Sequence, residues 1–175
     1  MHEVEVKILD INPVSLRETL QKLGFALAFK GNLFATYWDT PHKMLHRKKQ
    51  SLRLRKQGDS QFLTFKKTTK GITKVANEIE LKVSDYETCQ LLLICLGFIE
   101  FARQEKHRES WTNGKVHVEI DTLEGIPSFA EVEATSEEEC LRTVSELGFS
   151  LSDAKPWTGK EVINYYKRKA IPKNS

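Results

Sequence analysis

The segment HEVEVKIL, residues 2–9, sets Glu3, Glu5 and Lys7 at alternate positions with Val4, Val6 and Ile8 between them. A strand presents successive side chains to opposite faces, so two carboxylates and an amine point the same way. Glu131 and Glu133 in FAEVEA repeat the spacing, and Glu78, Glu80 and Lys82 in NEIELKV do so again. Elsewhere the alternating face is basic: Arg53 and Arg55 in SLRLRK, Lys66 in QFLTFKK, Lys106 and Arg108 in KHRESW. In KVHVEID it is His117, Glu119 and Asp121 against Val116, Val118 and Ile120. Paired carboxylates suit a hard cation such as Mg2+ or Mn2+ that bridges to phosphate oxygens, while Arg and Lys grip phosphate directly. Together these residue types specify a metal-bound polyphosphate.

Elements of the right kind surround them. After the first strand, Asn12 can cap a helix, Pro13 suits its first position, and Leu16, Leu20 and Leu23 form one apolar stripe ended by Gly24. The unit of acidic strand, helix and Leu-Gly-Phe recurs at 78–98, where Ser84 or Asp85 caps, and at 129–149, where Ser136 and Glu139 form a capping box. Turn signals separate the other strands: DTPHK, Gln57-Gly58-Asp59, Lys70-Gly71, Asn113-Gly114 and LEGIPS. The pattern predicts about eight strands, mostly antiparallel, with three main helices and a fourth over PWTGKEVINYYKRK, started by Thr158 and Glu161.

Each amphipathic helix has an apolar stripe to cover, and the apolar strand faces are the available partners. The helices then lie outside, and about eight twisted strands can curl until the charged face lines a barrel. Glu3 and Glu5, about 7 Å apart on one strand, repel by roughly 2 kcal/mol at an effective dielectric near 20, so the lining needs counter-charges. Internal Lys and Arg can supply some of them as a salt-bridged scaffold. Buried ion pairs are a poor way to stabilise a fold compared with apolar packing, so a wet, ligand-holding cavity explains the pattern better.

The bulk numbers agree with one soluble domain over residues 1–170, with a frayed tail at 171–175. A net charge of +3 on 175 residues is too small to specify nucleic acid. The opening residues lack a signal-peptide pattern and no apolar run could span a bilayer, so the expected location is cytoplasmic, with no membrane partner. Cys89, Cys95 and Cys140 make no metal-binding pair and read as reduced thiols. Gly159-Lys160 does not complete a phosphate-binding loop, because Ala154 replaces its first glycine and Glu161 its Ser or Thr.

Glu3-Val4-Glu5-Val6-Lys7, followed in order by YWDTP, SLRLRK, LTFKK, EIELKV, KHRESW, VEIDTLEG and FAEVE, resembles the CYTH domain family, the cyclase and thiamine-triphosphatase group also called triphosphate tunnel metalloenzymes. The resemblance implies an α+β fold, an eight-stranded antiparallel β-barrel or tunnel with helices packed outside, that binds a triphosphate with Mg2+ or Mn2+. Carried onto this chain, Glu3, Glu5, Asp121, Glu131 and Glu133 would bind or orient metal. Lys7, Arg53, Arg55, Lys66, Lys106 and Arg108 would hold phosphates, and Glu78, Glu80 and Glu119 would support them. Lys7 would also activate water if its neighbours lower its pKa. Asp39 belongs to the family pattern or to a turn. The implied activity is hydrolysis of a nucleoside, thiamine or inorganic triphosphate. The alternatives are a class IV adenylyl cyclase making cyclic AMP and pyrophosphate, and a non-catalytic polyphosphate-binding module. The small-molecule triphosphate is the expected partner, and a homodimer is allowed without being specified.

Overall fold

The computed structural model of the chain describes residues 2–70 and 73–170. In chain order they form β1 (His2–Ile8), α1 (Pro13–Lys22), β2 (Ala26–Asp39), α2 (Met44–Arg47), β3 (Gln50–Gln57), β4 (Ser60–Lys70), β5 (Lys74–Val83), α3 (Tyr86–Cys95), β6 (Ile99–Thr112), β7 (His117–Thr122), β8 (Phe129–Ala134), α4 (Glu137–Glu146) and α5 (Gly159–Ala170). The strands close into a barrel in the order β1-β5-β4-β3-β2-β6-β7-β8, antiparallel throughout. Closure leaves no sheet edge unpaired. It also makes β8, β1 and β5 neighbours, so the three Glu-x-Glu strands form one acidic arc, and β3, β2 and β6 form the opposite side.

Each Leu-Gly-Phe ends its helix by the same device. Gly24 sits at φ 79° and donates to the carbonyl of Gln21, while Phe25 donates to that of Leu20. Gly97 with Phe98 and Gly148 with Phe149 repeat both bonds at the ends of α3 and α4. The left-handed residue in this motif is where glycine is favoured. The starts are capped by Asn12, Asp85 and Ser136, each side chain accepting from first-turn N–H groups.

Most of the apolar strand faces are covered as expected. Leu16 and Leu20 of α1 and Cys140 and Val144 of α4 pack with Val4, Val6, Val118 and Val132. Tyr86, Cys89 and Leu93 of α3 pack with Trp38, Leu52 and Leu54. The fourth helix, α5, does something different: Val162 and Tyr166 pack on Phe129, the first inward-facing residue of β8, so α5 covers one end of the barrel. Two backbone bonds between Lys7 and Lys155 bring the preceding segment alongside β1, just past the last residue that β1 pairs with β5.

Two local features differ from the pattern read in the sequence. DTPHK is not a simple turn but leads into the one-turn α2, because the buried Asp39 carboxylate accepts from the N–H groups of Thr40, Leu45 and His46 at 2.7 to 2.9 Å. The Asn113-Gly114 hairpin uses residues 113–116, with Asn113 accepting from Lys115 and Val116, so Val116 precedes β7. The tail 171–175 and the turn at Gly71 lie outside the described residues. Among the described residues, no helix is long and apolar enough to cross a membrane.

Candidate active site

Strand alternation turns the charged rows into the lumen, where they meet in linked ion pairs. Lys7 Nζ lies 2.9 Å from Glu5 and 2.7 Å from Glu131, joining two strands of the acidic arc. Arg108 grips Asp121 through two bonds of 2.7 Å and reaches Glu131 at 2.9 Å and Glu119 at 3.6 Å. Lys106 adds a 2.6 Å bond to the fully buried Asp121. On the other side Lys66 bridges Glu3, at 2.7 Å, and Glu78. Arg55 pairs with Glu80, which also accepts from Thr64, and the Arg55 guanidinium lies over the Phe62 ring.

All fourteen residues anticipated from the sequence therefore stand on inward-facing rows: Lys7, Arg53, Arg55, Lys66, Lys106, Arg108, Glu3, Glu5, Asp121, Glu131, Glu133, Glu78, Glu80 and Glu119. His117, at the start of β7, shares the row but is exposed. Lys160 is exposed on α5, a surface lysine as the sequence suggests. Asp39 is the backbone cap already described. Lys74 escaped sequence reasoning: it is buried and donates to Glu5 at 2.5 Å. Its signal was parity, since 74 lies on the same alternating row as 78 and 80. Tyr37 and Gln104, hydrogen-bonded to each other at 3.1 Å, extend the lining between Arg53 and Lys106.

Protonation follows from this crowding. Burial would raise the Glu131 carboxyl, but Lys7 and Arg108 hold it well below its ordinary range. Burial would lower Lys7, yet Glu131 and Glu5 outweigh it and keep the ammonium protonated, so the condition for Lys7 to take a proton from water is not met. Burial and then Arg108 push Lys106 down to about 8. Burial and the adjacent Glu3 drive Glu133 up to about 10, so these two carboxyls share a hydrogen bond and a proton. The Nε atoms of Arg53 and Arg55 are buried and find no acceptor among the described residues.

The donors suit a hard cation in kind, and the Glu3–Glu133 pair suits one in arrangement, because a proton already screens two carboxyls forced together. Among the described residues no three His, Cys, Asp or Glu side chains are gathered into a ready metal cluster. Glu5, Glu131 and Asp121 are occupied by lysine and arginine instead.

A family model described as the CYTH domain matches residues 1–155. This chain belongs to the CYTH family. The match ends before α5. A candidate adenylate cyclase of Methanocaldococcus jannaschii is 34% identical over 133 residues, 75% of this chain and 74% of that protein. Among solved structures, a candidate adenylate cyclase of Vibrio parahaemolyticus superposes with a TM-score of 0.81 at 19% identity, over 94% of this chain and 98% of that one. A Hippeastrum candidate adenylyl cyclase, described as having a dominant triphosphatase activity, gives 0.61 at 16%, over 97% and 98%. CYTH proteins are in general metal-dependent, and the lumen of this CYTH chain is where its carboxylates converge.

Proposed function

We propose that the chain is a divalent-metal-dependent triphosphatase acting in the barrel lumen on a nucleoside, thiamine or inorganic triphosphate. The observation that carries this is the pair of buried Arg53 and Arg55 Nε donors without acceptors, set among cations already crowding one another. Burying a polar donor unpaired costs free energy, and a phosphate chain would supply the missing acceptors. Arg53 and Arg55 would hold one end of that chain, and Lys66, Lys106 and Arg108 would shift from their carboxylates to its oxygens. Lys7, kept charged by Glu5 and Glu131, binds phosphate and does not act as the base.

Glu3 and Glu133 would seed a Mg2+ or Mn2+ site, joined by Glu5, Glu131 and Asp121 as phosphates draw off their cationic partners. A cation held by these carboxylates would supply neutralisation of phosphate charge and Lewis-acid polarisation of the phosphoanhydride. Glu78, Glu80 and Glu119 would keep Lys66, Arg55 and Arg108 aimed inward. The helix α5, covering one barrel end, is read as part of the same single domain.

The name of the Methanocaldococcus relative favours a second reading, adenylyl cyclase, in which the ribose 3′-hydroxyl replaces water as nucleophile. One experiment separates the two. The full chain is incubated with ATP, thiamine triphosphate and inorganic triphosphate, each with Mg2+, Mn2+ or a chelator, and the products are resolved. Orthophosphate that depends on metal is expected; cyclic AMP with pyrophosphate assigns the cyclase. Binding without turnover under either metal would leave a non-catalytic module and overturn the proposal.

A further inference from the structure

The helix α3 departs from the pattern of α1 and α4, whose outer faces are polar. Its sequence, YETCQLLLIC, has no charged residue after Glu87. Tyr86, Cys89 and Leu93 are buried on the barrel, yet Leu91, Leu92, Ile94 and the C-cap Leu96 remain 55% to 63% exposed. A helix that is apolar on every side is normally a buried helix.

The apolar surface continues beyond the helix on both flanks. Leu91 and Ile94 line a groove with Ile99 of β6. On the opposite flank Ile79 and Leu81 of β5 stand beside Phe65 and Leu63, which pack into the cluster under α3. At roughly 100 Å² apiece, these seven exposed side chains present on the order of 700 Å², more than a monomer's usual largest patch and near one partner's share of a standard interface.

Charge narrows the occupant. The rim carries Glu87 with Lys56 and Glu100 with Arg103, so both signs stand side by side around an apolar centre. An anionic or cationic partner would match only half of that rim. A surface of mixed sign around an apolar centre is self-complementary when rotated onto itself by a two-fold axis. We propose that this face is a homodimer interface, in which α3 and the flanking rows of β5 and β6 pack against the same surface of a second copy.

Light scattering of the full chain across the micromolar range is expected to give the mass of two chains, falling toward one on dilution. Leu92→Glu should weaken association at least about 100-fold with an unchanged circular dichroism spectrum, since Leu92 is exposed in the single chain. Ile79→Glu should do the same from a different element. Cys95, the one exposed cysteine of the three, lies on the outer side of α3 and reports on the wild type directly. Its alkylation by iodoacetamide should slow as protein concentration rises. A chain that stays monomeric at every concentration overturns the proposal, as does a dimer untouched by both substitutions or an alkylation rate independent of concentration. A monomer that binds neutral phosphatidylcholine vesicles would assign the face to lipid and equally overturn it.

Discussion

Arg108 and Glu109 are consecutive, so one peptide of β6 sends an arginine into the lumen and a glutamate to the outside. Each forms a two-pronged ion pair: Arg108 with Asp121, and Glu109 with Arg17 of α1 at 2.8 and 2.9 Å. Outside, the charges are matched locally. Glu109 is buried, Arg17 and Lys30 reach it from partly solvated positions, and the pair fastens α1 to the wall. Inside, one arginine serves Asp121, Glu131 and Glu119, while the Nε atoms of nearby Arg53 and Arg55 have no acceptor among the described residues. The outer pair is complete as a structural fastening, and the inner network is incomplete without an anion. Incomplete polar networks persist where function requires them.

The largest expected effect breaks that contrast at its inner side. Arg53→Met should lower kcat/KM for the best triphosphate by about 10³-fold, the scale of losing an arginine that stabilises phosphoryl charge. Its melting temperature should change little, because the Arg53 Nε makes no hydrogen bond among the described residues. A variant that loses stability and keeps its turnover would put Arg53 in the scaffold. At the end of β2, apart from the lumen ion pairs, Asp39→Ala would leave three backbone N–H groups without their acceptor and should cost about 3 kcal/mol with little change in turnover. Burial would raise the Asp39 carboxyl, but the N–H groups of Leu45, His46 and Thr40 hold it below its ordinary 3.8. The folded value is depressed, so this stability is fully present above pH 3.8 and fades as pH falls below it. Urea melts at neutral pH and at about pH 3 should show the gap between variant and wild type narrowing in acid. Arg17→Ala should cost about 1 kcal/mol, below the 3 to 5 of a fully buried pair, because Arg17 is partly exposed and Lys30 still neutralises Glu109.

Much of the inner face was legible because strand period is strict: once Glu3, Arg53 or Glu131 is assigned inward, every second neighbour follows. The Leu-Gly-Phe stops were legible for a similar reason, since the motif is local. Strand order was not. Nothing within NEIELKV or FAEVEA says that both flank HEVEVKI, because that adjacency is set by pairing across the whole chain. Lys74 was missed where Gly71 interrupts the alternating run, and α2 because its cap comes from Asp39, five residues before its first residue. The charge state of Lys7 depends on Glu131, 124 residues away, and only the closed barrel brings them together.

A last test asks whether the inner network holds a shared proton. Burial and Glu3 raise the folded-state pKa of Glu133 from 4.5 to about 10. Between those values the folded chain keeps a proton that the unfolded chain has released, so rising pH draws the equilibrium toward unfolding. Glu133→Gln keeps the hydrogen bond to Glu3 and removes the titration. In chelator, the two proteins should melt together near pH 5, and the variant's lead over wild type in melting temperature should widen steadily as pH rises to about 9. Glu109→Gln, at the outer pair, should show no such divergence over the same range: Arg17 and Lys30 hold Glu109 below its ordinary value, so it carries no proton there in either state. Parallel curves for Glu133→Gln and wild type would mean that the two lumen carboxyls are screened by lysine alone, and would remove the reason to place the cation between them.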